Sequence, residues 1–290
     1  MSKCIILLAG MLNCKHQPSF AENFKSFIEN FDDFEVVVHT WQHQYNYTKR
    51  FTKWFETQFP TKKLHFYQET YSRFDCLIQR IADQNFVEKV KSHAQKHMLD
   101  SNDVIRRNLA IFFSISECYH YAKQQLSIDK DTFMVRARPN TPFQFNITND
   151  NGQLVFDDFF SSKEEHAGHY AHELGARSPS QTKDNTIFVN IDWYDSIQLV
   201  PRIREEFFGA FPVVWTTLFG YSSTEAFLSE MLLPIYQKQF YQCESMAETA
   251  IFPNHGVIWG ELFATNKLLI ETSMMVAGGQ NRKAKMAPFY

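Results

Sequence analysis

Short apolar runs alternate with helix-like segments through the first 140 residues, and this alternation constrains the fold more than any other feature. The first run, 4–9, is apolar at every position and ends at Gly10. A run without polar positions is typical of a strand buried on both faces, as in a parallel sheet. Strands that alternate with helices predict an α/β fold. We therefore expect a mainly parallel, Rossmann-like sheet with helices on both faces.

The same reasoning assigns elements along the whole chain. β-branched and apolar runs predict strands, and apolar residues at helical spacing predict helices. Predicted strands lie at 4–9, 35–40, 63–67, 131–138, 186–191 and 213–219, with a hairpin that pairs 143–147 with 154–156. Predicted helices lie at 18–28, 47–58, 74–96, 102–125, 223–240 and 259–276.

We interpret the chain as a single α/β domain over 1–290. A boundary near 140 divides it into two halves, 1–140 and 141–276. Residues 277–290 form a basic tail.

Composition excludes several classes of protein. The net charge of -3 supplies no general attraction to nucleic acid or to an anionic membrane. No apolar run approaches the ~20 residues of a transmembrane helix, so any membrane contact would be peripheral. The five cysteines form no CxxC pair, which indicates reduced thiols and a cytoplasmic protein.

Several catalytic motifs are missing from the sequence. It contains no GxGxxG, no GxxxxGK[ST], no GxSxG and no HExxH. A dinucleotide-dependent oxidoreductase, a P-loop kinase, a serine hydrolase and a zinc protease are each disfavoured.

The carboxyl ends of the predicted strands are the expected ligand-binding edge, because open α/β sheets bind ligands there. This places 10–15, 40–43 and 136–141 together. Arg136 and Arg138 lie two positions apart, on one face of their strand, and arginine suits phosphate oxygens. The alternative is that both arginines form structural ion pairs with helix carboxylates.

Other clusters allow both a functional and a structural interpretation. The aromatic residues at 41, 45, 47, 54 and 55 can stack on a nucleobase or pack in the core. Asp157, Asp158, Asp192 and Asp195 offer oxygen ligands for Mg²⁺ or Mn²⁺, although acids near turns are commonly solvated. His166, His169 and His172 fit a solvated loop better than a metal site. In 219–225, a serine or threonine caps a helix and Glu225 follows in its first turn.

Four segments carry a resemblance to a known family. They are 106–118, the Arg-Ala-Arg-Pro-Asn segment 136–140, the Leu-Phe-Gly-Tyr-Ser-Ser-Thr-Glu segment 218–225, and 259–262. Together they resemble the WavE-like glycosyltransferases of lipopolysaccharide and capsule synthesis. The resemblance implies a GT-A fold that moves a sugar from a nucleotide-sugar donor to a surface-polysaccharide, glycan or lipid-linked acceptor. It makes 1–140 the nucleotide-binding half and 141–276 the acceptor-side half. With the binding edge, it assigns donor binding to Ala9, Gly10, Met11, Asn13, Thr40, Trp41, Asn108, Arg136, Arg138 and Asn140.

Two departures from the family pattern concern the metal and the activity. Asn140 stands where the family has an aspartate, and 215–218 contains no acid. The cofactor is therefore either Mn²⁺ or Mg²⁺, or the two arginines replace the metal at the diphosphate. Glu225, Glu261 and Asp192 are the candidate general bases. The alternatives are an inactive relative that binds glycan or nucleotide, and another α/β enzyme such as a methyltransferase or phosphotransferase.

Overall fold

A central β-sheet with helices on both faces organises the protein. The computed structural model describes residues 3–10, 24–96, 101–137, 148–150, 153–155, 159–161, 185–192, 202–246 and 255–274. The sheet strands are β1 (Lys3–Ala9), β2 (Asp33–Trp41), β3 (Leu64–Glu69), β4 (Phe133–Ala137), β7 (Phe159–Ser161), β8 (Thr186–Asp192), β9 (Arg202–Ala210) and β10 (Leu269–Met274). A separate hairpin is formed by β5 (Thr148–Asp150) and β6 (Gln153–Val155).

The sheet has the order β3-β2-β1-β4-β9-β8-β10-β7. Strands β1 to β4 pair in parallel, β9 is antiparallel to both β4 and β8, and β10 is parallel to β8. Strand β7 lies at the edge of the sheet and pairs antiparallel with β10. The predicted α/β class is confirmed, and the sheet is mixed. Strands β1, β2, β4 and β8 all end at one edge, which we call the carboxyl edge.

The helices follow the chain between these strands. Residues 24–28 are helical, and we label them α1. The others are α2 (Tyr45–Gln58), α3 (Tyr71–Ile81), α4 (Gln84–Lys96), α5 (Ser101–Gln125), α6 (Pro212–Phe219), α7 (Thr224–Phe227), α8 (Leu233–Met246) and α9 (His255–Thr265). A π-helical turn, Leu228–Leu232, joins α7 to α8.

Alternate residues of β1 enter two different cores, which is why this strand is apolar from position 4 to position 9. Ile5, Leu7 and Ala9 face the larger cluster, built with α3 to α9. Cys4, Ile6 and Leu8 face the smaller cluster, built with the phenylalanines of α1 and α2. The prediction of helices on both faces is therefore confirmed.

The first half of the chain follows the predicted elements closely. The predicted strands at 4–9, 35–40 and 63–67 correspond to β1, β2 and β3, and the helix predicted at 102–125 is α5. The helix predicted at 74–96 is two helices, because α3 ends at Ile81 and α4 begins at Gln84.

Two predictions in the second half are wrong. Residues 213–219, predicted as a strand, form α6, which begins at Pro212 where a missing N–H costs nothing. The helix predicted at 259–276 ends at Thr265, and the chain continues as β10. Between them Lys267 has a φ of 52°, a left-handed conformation that ends a helix.

The first strand of the predicted hairpin, 143–147, lies outside the described residues. The observed hairpin pairs 148–150 with 153–155, and Asp150 pairs with Gln153 across the Asn-Gly sequence at 151–152. The residues His166, His169, His172, Asp157, Asp158 and Asp195 and the predicted tail at 277–290 also lie outside the described residues. Among the described residues, no helix has both the length and the apolar character required to cross a bilayer.

Candidate functional site

The end of β1 forms a tight turn at the carboxyl edge. Gly10 has a φ of +120° and its N–H donates to the carbonyl oxygen of His39 at 3.2 Å. The hydroxyl of Thr40 donates to the carbonyl oxygen of Gly10 at 2.8 Å. These bonds tie the ends of β1 and β2 together. The chain places β2 and β3 on one side of β1 and β4 on the other, so the turn lies at a switch point between β1 and β4. Open α/β sheets bind ligands at such switch points.

Replacing Gly10 with alanine is expected to lower the free energy of unfolding by about 1–3 kcal/mol, because a side chain rarely adopts this φ. The added Cβ would have Ile111 Cδ1 3.9 Å away, so the cost is in the backbone and not in a collision. Urea unfolding measures it. The matched control is Gly260→Ala within α9, where a Cβ meets nothing within 4 Å and a gain of about 0.5–1 kcal/mol is expected. Equal effects of the two substitutions would contradict the argument.

An aromatic stack of Trp41, Tyr71 and His43 continues this edge beyond β2. The rings of Trp41 and Tyr71 are 4.3 Å apart and 18° from parallel, and those of Tyr71 and His43 are 5.4 Å apart and 17° from parallel. Trp41 is buried and His43 is exposed. The stack therefore ends in a ring on which a flat ligand can lie.

Arg106 fixes the stack from the side of α5. Its guanidinium lies 5.2 Å from the centre of the Tyr71 ring. It also binds both carboxylate oxygens of Asp75, at 2.9 and 2.5 Å. Such bidentate pairs hold a side chain in one orientation.

The aromatic residues singled out in the sequence do not form one cluster. Trp41 lies in the larger core, whereas Phe55 and Trp54 pack on the opposite face of the sheet. The interpretation of this set as a single ligand-stacking cluster is wrong, because the sheet separates its members.

Arg136 lies near the end of β4, as predicted, and its side chain is completely buried. It pairs in register with Leu7, so it faces the larger core beneath α5. Burial raises the pKa of the Cys118 thiol, and the positive charge of Arg136 partly offsets that effect. The sequence led us to expect that Arg136 binds phosphate oxygens at the carboxyl edge. In the structure its guanidinium is enclosed by the core.

Two further predicted donor-binding residues have defined places. Ala9 is buried at the end of β1. Asn108 is also buried, and its amide donates to the hydroxyl of Tyr236 at 3.2 Å. Asn108 therefore links α5 to α8. Met11, Asn13, Arg138 and Asn140 lie outside the described residues.

The three candidate bases have different environments. Glu225 pairs with Arg80 at 2.5 Å, and Glu261 pairs with Lys238. Both pairs join helices at partly exposed positions. Asp192 instead ends β8 at the carboxyl edge. One strand, β9, separates β8 from β4. Asp192 pairs with Arg202 of β9, whereas Ala137 at the end of β4 pairs with Phe207, so Asp192 lies about 16 Å further along the sheet than Ala137.

His39 is a buried titratable group near this edge with a strongly shifted pKa. Its side chain is completely buried, and rings of Trp41, Tyr67 and Phe113 lie 5.2–5.7 Å away. Neither ring nitrogen has a hydrogen-bond partner among the described residues. Burial, reinforced by the charge of Arg73, lowers the pKa of His39 to about 3. The imidazole is therefore neutral at physiological pH.

Sequence reasoning did not assign His43, Tyr71, Asp75 and Arg106 to one site. They come from a turn, from α3 and from α5. The only sequence signal was indirect: Tyr71 follows the strand predicted at 63–67, and Arg106 begins the segment 106–118 that carries the family resemblance. Their proximity depends on how α3 and α5 pack on the sheet.

Among the described residues, no group of three or more His, Cys, Asp or Glu side chains is placed to hold a metal ion. The fold and this edge define an α/β protein with a candidate ligand site at the switch point of its sheet. No family model matches the chain, and no curated protein matches it significantly.

Proposed function

We propose that this protein is a GT-A glycosyltransferase that transfers a sugar from a nucleotide-sugar to a glycan or lipid-linked acceptor of surface-polysaccharide synthesis. The observation that carries the proposal is the turn at Gly10, held by His39 and Thr40 at the switch point between β1 and β4. A turn without a side chain lets a ligand approach the backbone closely.

The sheet order supports the same proposal. The parallel strands β3-β2-β1-β4 form a nucleotide-binding half, and the reversed strand β9 separates it from β8 and β10. A donor at β1 and an acceptor near β8 would then lie on the same carboxyl edge, separated by β4 and β9.

The proposed roles follow from position along this edge. The exposed ring of His43 offers a stacking surface to the nucleobase. Arg138, which follows the described part of β4, would bind the diphosphate, and Arg136 would contribute positive potential beneath it. Asp192 would accept the proton of the acceptor hydroxyl, while the oxygen of that hydroxyl forms a bond to the anomeric carbon of the donor sugar. The bond from that carbon to the diphosphate oxygen breaks, and the nucleoside diphosphate leaves.

A nucleoside diphosphate is expected to raise the thermal midpoint of the protein. A ligand at 100 times its Kd adds about 2.7 kcal/mol to the free energy of unfolding. At about 2–4 °C per kcal/mol for a chain of this size, the midpoint rises by roughly 5–11 °C. Thermal unfolding with UDP, GDP, CDP and ADP measures this, first with Mn²⁺ and then with chelator. A shift that persists in chelator would mean that arginine side chains, and not a metal ion, bind the diphosphate.

The variant Arg138→Ala tests the assigned site. We expect it to remove the ligand-induced shift while the midpoint of the free protein stays unchanged. Retention of the full shift would place the diphosphate elsewhere. If no nucleotide shifts the wild-type midpoint in either condition, the proposed function is wrong.

A further inference from the structure

A second pocket lies away from the carboxyl edge, between β3, α5 and the turn before α7. Its volume is about 390 Å³, within the range of small-molecule sites. Ile111, which lies beside Gly10, and His120, which lines the pocket, are nine residues apart on α5. At 1.5 Å per residue this pocket is about 14 Å along the helix from the turn at Gly10.

Its apolar wall consists of two tyrosine rings held in place by hydrogen bonds. Tyr67 and Tyr121 lie 5.3 Å apart at 40°. The hydroxyl of Tyr67 donates to the carbonyl oxygen of Glu117. The hydroxyl of Tyr121 lies 3.0 Å from His65 Nδ1, and the other ring nitrogen of His65 lies 3.1 Å from Glu35. The wall is thus a rigid aromatic surface.

Polar groups with unused hydrogen-bonding capacity line the remaining walls. The Nε2 atom of His120 is buried without a hydrogen-bond partner among the described residues. Burial lowers the pKa of His120, so its imidazole favours the neutral form. The side chains of Gln124 and Ser222 are exposed and also line the pocket. Together these groups can both donate and accept.

The charges at the pocket disfavour an ionic ligand. Among the described residues that line it, Glu117 is the only carboxylate and none is Lys or Arg. A carboxylate without a lining cation repels phosphates and acids. The Glu117 carboxylate also already binds Arg73 at 3.3 Å, which reduces its attraction for an added cation. These charges favour a neutral ligand, and the donors and acceptors on the other walls suit hydroxyl groups.

We infer that this pocket binds a neutral saccharide, with a sugar face against the tyrosine rings and its hydroxyls on Glu117, His120, Gln124 and Ser222. This inference does not rest on the proposed transferase activity, because it concerns a different site and needs no donor. A glycan held here would lie about 14 Å along α5 from the turn at Gly10 and would leave the carboxyl edge free.

Saturation-transfer NMR on the full chain tests the inference, using neutral methyl glycosides of glucose, galactose, mannose and N-acetylglucosamine. At least one glycoside is expected to bind the wild-type protein. Gln124→Ala should weaken that binding about fivefold, the effect of one hydrogen bond. Glu117→Gln should also weaken it, because an amide is a poorer acceptor than a carboxylate.

Gln125→Ala is the matched control, since Gln125 is the exposed neighbour outside the pocket lining, and its binding should equal that of the wild type. His43→Ala, at the carboxyl edge, should also leave glycoside binding unchanged. The inference is overturned if no glycoside binds or if Gln124→Ala and Gln125→Ala bind equally. It is also overturned if His43→Ala abolishes binding, or if glucose 6-phosphate or glucosamine binds more tightly than the neutral glycosides.

Discussion

Asparagine in place of Asp192 is expected to lower kcat for sugar transfer by about 10²–10⁴-fold, the usual contribution of a general base. Asparagine has nearly the same size but cannot take the acceptor proton. The KM for the donor should stay within about twofold, because the proposed donor contacts lie at β1 and β4 and not at β8. Release of nucleoside diphosphate from a nucleotide-sugar, followed with an acceptor present, measures both constants.

Glu225→Gln and Glu261→Gln are the matched controls for this experiment. Each removes the carboxylate of a partly exposed ion pair, with Arg80 or with Lys238. Such pairs contribute at most about 1 kcal/mol to stability, so both variants should fold and retain activity. Loss of activity in either control, together with full activity of Asp192→Asn, would move the base away from the carboxyl edge.

Removing the imidazole of His39 is expected to make the protein less sensitive to acid. In the folded protein the pKa of His39 is about 3, against 6.5 for an unperturbed histidine. Between these values the unfolded chain binds a proton that the folded protein does not. The titration of His39 therefore leaves the free energy of unfolding unchanged above pH 6.5 and lowers it as the pH falls from 6.5 towards 3. The loss approaches about 1.4 kcal/mol per pH unit.

His39→Phe keeps an aromatic ring against Trp41, Tyr67 and Phe113 but cannot titrate. Urea unfolding between pH 7 and 4 should give a shallower decline in stability for the variant than for the wild type. The imidazole resonances of His39 supply an independent control, since they should not shift between pH 7 and 4.5. Parallel declines in the two proteins, or titration of His39 near pH 6.5, would show that the ring is solvated.

The local sequence pattern was sufficient to predict most helices and strands in the first half of the chain. β1 is apolar over 4–9 because alternate residues enter two cores, and α5 carries apolar residues at helical spacing. Gly10 and Thr40 were assigned to a ligand-binding edge because Gly10 follows one predicted strand and Thr40 ends the next. These features depend on neighbours in sequence, so one sequence reveals them.

Local pattern failed where partners distant in sequence choose between two structures. The run 213–219 is apolar without a clear period. It forms a helix in which Trp215 packs beneath α5 and donates to the carbonyl oxygen of Met134 at 3.0 Å. The segment 269–274 is a strand because β8 and β7 supply its hydrogen-bond partners on either side.

The candidate site shows the same division. Residue type and position after a strand singled out Gly10, Thr40, Trp41 and Asp192 as residues. The strand order then determined which polar groups share an edge. It placed Asp192 on the carboxyl edge, beyond the described end of β4, while Glu225 and Glu261 pair with cations on neighbouring helices. Strand order arises from long-range pairing and packing, whereas a residue's tendency to form a strand or a turn is already present in its local sequence.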